Sequence, residues 1–102
     1  MTQNTRRSMT RSPAALARTA LRLARRALPL YSSERSRHDF TQHQLFAILM
    51  LRRFFKTDYR GITALLEDLS DLRQILGLNK VPHYSTLCYA EGRLVKKGLL
   101  TA

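Results

Sequence analysis

The stretch VPHYSTLCYAEGRLVKKG, residues 81–98, sets three hydroxyl side chains, Ser85, Thr86 and Tyr89, ahead of three cations, Arg93, Lys96 and Lys97. At about 100° per residue, Tyr84, Leu87, Cys88, Leu94 and Val95 fall on one side of a helix. Ser85, Thr86, Tyr89, Gly92, Arg93, Lys96 and Lys97 fall on the other. The first side suits a core, with Cys88 read as a small buried residue. The second is small and polar at its N-terminal end and basic further on. A helix entering the major groove of DNA needs that order: short hydroxyls near its N-terminus reach base edges, and Arg and Lys hold phosphates. A solvated helix whose terminal lysines complement its own dipole has the same order, so the choice rests on the rest of the chain. Glu91 does not fit the apolar side on which it falls. It is expected either to pair with Arg52 or Arg53 or to lie at the rim of the domain.

Net charge favours DNA over an anionic membrane surface or a merely soluble basic surface. The 102 residues carry a formal charge of +11. Residues 1–37 contribute +8, from nine Arg against Glu34 alone, and the remainder contributes +3. A surplus of this size favours a polyanionic partner, with double-stranded DNA ahead of an anionic membrane surface. The longest apolar run, LFAILML at residues 45–51, falls far short of the roughly 20 residues a membrane span needs. Residues 1–33, rich in Arg and Ser and free of acids, also have the composition of an organelle-targeting segment.

Other chemistries find little support. The single cysteine, Cys88, allows no disulfide within the chain, which fits a reducing compartment. His38, His43, His83 and Cys88 have no zinc-ligand spacing, and His83 and Cys88 are poorly placed as a catalytic pair. There is no glycine loop for phosphate. No carboxylate pair is spaced to hold Mg²⁺, so no metal, no cofactor and no catalytic residue is expected.

The elements that position these residues are all helical. Residues 1–11 lack periodicity and read as a mobile basic tail. Ser12 and Pro13 open a basic amphipathic helix over 12–30, stopped by Pro29. Its apolar stripe includes Ala17, Leu21, Ala24 and Leu28, and Arg18, Arg22 and Arg25 form a second stripe beside Arg26. Thr41 and Gln44 match a capping box and begin a helix, apolar on every side, that runs to about Phe55. Arg52, Arg53 and Lys56 in its last turn suit either its dipole or a phosphate. Asp58 caps the next helix, where Ile62, Leu65, Leu66 and Leu69 repeat at helical spacing and Gly61 marks a close contact or is neutral. Ser70 is expected to cap a short helix that ends at Gly77. The last helix starts within His83–Ser85 and runs to about Lys97. No run alternates with a strand's period. The expectation is an all-α chain, a small bundle of four to five helices with a helix-turn-helix-like C-terminal part, in which residues 31–102 form the DNA-binding domain. Deleting residues 1–30 is then expected to leave a folded core.

Residues 31–94 resemble the N-terminal helical region of DDE-type insertion-sequence transposases of bacteria and archaea. The resemblance lies in FTQHQLFA, DYRGITALLEDLSDLRQILGL and VPHYSTL, in that order and spacing. It implies a helix-turn-helix module that engages transposon-end DNA, with Ser85 and Thr86 at the reading end of the last helix. It also implies a cytoplasmic, nucleoid-associated protein. The family's three catalytic carboxylates lie on a following mixed α/β domain, and this chain ends at Ala102 before any such strand. A truncated transposase, an isolated reading frame or a fragment, silent in catalysis, is therefore expected. The partners expected are double-stranded DNA and either a full-length transposase or a second copy, with no membrane. Two rivals stand beside it: a free-standing regulator or inhibitor of transposition, and a basic amphipathic protein targeted to a membrane or organelle. Through their hydroxyls Ser85, Thr86 and Tyr89 would read bases, while by charge Arg93, Lys96, Lys97, Arg18, Arg22, Arg25 and Arg26 would hold phosphates.

Overall fold

Leu45–Leu51 form the middle of a helix around which the other four assemble. The computed structural model describes residues 12–33 and 38–100. The tail at 1–11 and part of the charged connection after Tyr31 lie outside the described residues. Five helices follow in chain order: α1 (Pro13–Ala27), α2 (Gln42–Phe55), α3 (Tyr59–Asp68), α4 (Ser70–Leu76) and α5 (Tyr84–Lys96). No strand occurs among the described residues. Ala47, Ile48, Leu49 and Leu51 of α2 are fully enclosed. Helix α1 packs on α2 and α4, α3 on α2, and α5 on α2 and α3.

Local chemistry fixes most of the boundaries. Ser12 accepts a hydrogen bond from the Ala15 amide, with Pro13 in the first turn of α1. Helix α1 stops at Leu28, whose extended backbone is the conformation a following proline imposes. Thr41 and Gln44 close a capping box, with Gln44 N–H donating to Thr41 Oγ1 at 3.0 Å and Thr41 N–H to Gln44 Oε1 at 2.9 Å. Asp58 accepts from the Gly61 amide at 2.7 Å and so caps α3. Gly61 is a close contact and not a neutral position, because a Cβ there would collide with the Thr57 side chain. Ser70 departs from expectation. It is the first residue of α4, the cap position falls on Leu69, and no side chain caps that end. Leu69 has left the helical conformation (φ −104°, ψ 84°) and is more than a third exposed, so it serves as the joint between α3 and α4.

Helix α1 belongs to the core. Ala17, Ala20, Leu21, Ala24 and Leu28 are all buried in one cluster with residues of α2 to α5. This bears against the expectation that deleting residues 1–30 leaves a folded core: the small residues of α1 let its backbone lie close on α2, and removing it would bare that surface. Side chains of TQHQ secure the junction. Gln42 Nε2 donates to the Pro29 carbonyl at 3.1 Å, and His43 Nε2 to the Leu28 carbonyl at 2.8 Å. Gln44 Nε2 reaches the carbonyls of Leu76 and Gly77 at 3.0 and 3.1 Å and ties the end of α4 to the start of α2. Arg73 does the same for the end of α3, donating to the carbonyls of Leu66 and Glu67.

Candidate nucleic-acid interface

Helix α5 turns Leu87, Ala90 and Leu94 into the core. These residues sit at i, i+3 and i+7, so the buried face is centred nearer Ala90 than the sequence reading placed it. Cys88 is consequently exposed, not a small buried residue: it lies one residue, about 100°, beyond Leu87. The helix begins on His83, whose Nδ1 accepts from the Ser85 amide at 3.2 Å and lies 2.8 Å from Ser85 Oγ.

The three residues expected to read bases differ in placement. Tyr89 projects furthest, at 72% exposure. Ser85 is half-buried and engaged with His83. Thr86 is turned aside with Arg93 into a groove of about 190 Å³ shared with Tyr31, Asp39 and Phe40. Arg93, Lys96 and Lys97 are exposed at the far end of α5. Ser85, Tyr89 and Lys96, at i, i+4 and i+11, therefore share one outward stripe, while Thr86 and Arg93 border it on the side of the α1–α2 connection.

Apart from Lys56 and Arg60, the described cations fall into two groups. Those of the first group are bound by the protein itself. Glu91 receives Arg52 Nη2 at 3.2 and 3.4 Å, Arg53 Nη2 at 3.2 Å and the Tyr59 hydroxyl at 3.2 Å. The misfit carboxylate of α5 is thus an inward-facing anchor, 13% exposed, that joins α5 to the end of α2 and the start of α3. Arg52 also donates to the Thr57 carbonyl at 3.0 Å and lies over the Tyr59 ring. Burial first, and then the Glu91 carboxylate, raises the Tyr59 phenol above its ordinary value of 10.0. Arg73 is held by helix-end carbonyls, and Lys80 lies 3.8 Å from Asp39. The second group is exposed: Arg18, Arg22, Arg25 and Arg26 on α1, with Arg93, Lys96 and Lys97 on α5. No carboxylate among the described residues forms an ion pair with them. Arg18, Arg22 and Arg25 line one shallow groove with Leu21 and Ile75.

Sequence reasoning offered Lys56 to its helix dipole or to a phosphate but did not connect it with Arg60. Lys56 ends α2 with a left-handed backbone (φ 55°), and Arg60, the second residue of α3, donates to the Tyr84 hydroxyl of α5 at 3.0 Å. A lysine where helix ends usually hold glycine was the signal available.

Among the described residues, no three His, Cys, Asp or Glu side chains gather as a metal site. No helix among them is long and apolar enough to cross a membrane. No family model, curated protein or solved structure matches the chain.

Proposed function

We propose that the chain is a duplex-DNA-binding module, with α5 as its reading helix and the arginine face of α1 as a sequence-independent grip. One observation carries this reading. The cations divide into a set bonded inside the fold and a set left outward on α1 and α5 with no ion pair to a described carboxylate. Uncompensated surface charge on two helices is the electrostatic footprint of a polyanion partner.

The resemblance of FTQHQLFA, DYRGITALLEDLSDLRQILGL and VPHYSTL to insertion-sequence transposases makes transposon-end DNA the proposed target. The chain would act there as a binding module without strand-cleaving activity of its own. A regulator or inhibitor of transposition would use the same surface, and it would differ only in competing with a transposase where the module would serve one. The pairing of α3 and α4 with α5 packed on α3 supports a helix-turn-helix-like use of α5. The connection over residues 77–83 is longer than the three to four residues of the usual turn, so α5 would be presented on a looser support. A membrane surface is the weaker partner, because the apolar stripe that α1 would insert is already buried against α2 and α4.

The test is binding to labelled duplexes across a salt series, beside vesicles of anionic lipid at matched salt, followed by selection from random duplexes. The affinity for DNA should fall log-linearly with salt, by about 0.9 per phosphate contacted, and the selection should return a preferred site. Binding that ignores salt, or prefers vesicles, removes this reading.

A further inference from the structure

Three helices end in the same six-residue hydrogen-bond pattern. At α2 the Thr57 amide bonds to the Arg52 carbonyl at 3.1 Å. At α4 Leu78 bonds to Arg73 at 2.9 Å, and after α5 Leu99 bonds to Leu94 at 3.0 Å. This ending puts its penultimate residue in the left-handed region, where a Cβ is disfavoured and glycine is the usual choice. At α4 and α5 that residue is Gly77 (φ 71°) and Gly98 (φ 79°); at α2 it is Lys56 (φ 55°), the sole non-glycine with positive φ among the described residues. The chain thus uses glycine at two equivalent positions and a strained, exposed lysine at the third. A strained residue persists where something other than local stability retains it.

The surroundings of Lys56 point to what that is. It stands at the α2–α3 corner with Arg60, which is also exposed. The Arg60 guanidinium lies 4.4 Å from the Tyr84 ring centroid and donates one bond to its hydroxyl, so the corner is fastened to the first turn of α5. This is the opposite border of the outward stripe from Thr86 and Arg93. Two acids stand near this corner: Asp58, which caps α3, and Glu91, which is held by Arg52, Arg53 and Tyr59; Glu67 and Asp68 lie at the far end of α3. A duplex seated on α5 would bring one backbone toward this corner, because Arg60 is tied to the first turn of that helix.

We propose that Lys56 and Arg60 form a further phosphate-binding site, which flanks the N-terminal end of α5 and fixes its orientation on DNA. The proposal rests on the DNA-binding reading and adds to it a contact outside α1 and α5. Lys56→Gly and Lys56→Asn test it, because both substitutions suit the left-handed backbone and neither carries charge. Each is expected to melt at or above the wild-type temperature, to bind duplex DNA several-fold more weakly at low salt, and to reduce the salt slope by about 0.9. Arg60→Gln should reduce it again in the double variant. Wild-type binding with an unchanged slope in both Lys56 variants overturns the proposal and leaves the DNA-binding reading intact. Absence of binding by the wild-type chain overturns both.

Discussion

Glu91 occupies a position that an apolar side chain would fill if α5 packed through hydrophobic contact alone. Its carboxylate accepts from Arg52, Arg53 and Tyr59 together, so one side chain gathers three donors from two other elements. The sequence narrowed its partner to Arg52, Arg53 or the rim, but the choice depends on how α5 lies across the end of α2, which no local pattern encodes. Removing the charge strands two half-buried guanidinium groups. Glu91→Gln should therefore cost roughly 1–3 kcal/mol, read as a drop in melting temperature of about 4–8 °C per kcal/mol. An unchanged melt would mean that the cluster is solvated and contributes little. Tyr59 supplies a second reading of the same cluster. Its folded-state pKa is raised above 10.0, so the folded chain holds this proton more tightly than the unfolded one. The resulting stability is fully present below pH 10 and is lost as pH rises through the folded value. Denaturant melts at pH 8 to 11 should show a steeper alkaline loss in the wild type than in Tyr59→Phe. Parallel pH profiles would show that Tyr59 does not contribute.

At the scale of the helix, caps were the most legible feature of the sequence. Ser12, Thr41 with Gln44, Asp58 and Gly77 each act within four residues of themselves, so the order of residue types carries the information. What failed to show was everything that depends on another helix. The phase of α5 was misjudged because Ala90 gives a weak apolar signal, although it is almost fully buried; Cys88 was drawn inward as a result. Thr86 belongs by type with Ser85 and Tyr89, yet the residues around the α1–α2 connection close a groove over it. The docking of α1 was hidden for a similar reason: an alanine and leucine stripe states that something is covered, not what covers it. The consequence can be measured. Leu87→Ala and Leu94→Ala remove fully buried side chains and should each cost about 2–5 kcal/mol. A chain lacking residues 1–30 should lose cooperative unfolding or melt far below the intact protein, since five buried side chains of the core go with it. A truncated chain that keeps its helical signal and a sharp transition would show that α1 is dispensable packing.

For the whole molecule the question is how a +11 charge is divided between holding the fold and meeting a partner. Arg52, Arg53 and Arg73 make internal bonds, so their replacement should lower stability before it lowers affinity. The exposed cations of α1 and α5 should behave in the reverse way. Lys96→Ala should leave the melt unchanged, weaken all duplexes alike and reduce the salt slope by about 0.9. Replacing Arg18, Arg22, Arg25 and Arg26 together should reduce it by as much as about 3.6 if all four meet phosphates. The two reductions should add when the variants are combined if α1 and α5 grip one duplex, because separate contacts release separate counterions. Base reading should respond differently. Tyr89, the most exposed residue of the outward stripe, should change preference at one or two positions by roughly 1–3 kcal/mol when replaced by Ala. Thr86→Ala should do less, since its side chain faces the groove beside Arg93 and Phe40. The measurement is a binding series on one selected and one scrambled duplex. If Tyr89→Ala lowers both affinities by the same factor, α5 grips the backbone without reading it. If only the α1 arginines change the salt slope, the DNA lies along α1, and α5 is a structural helix whose lysines serve its dipole.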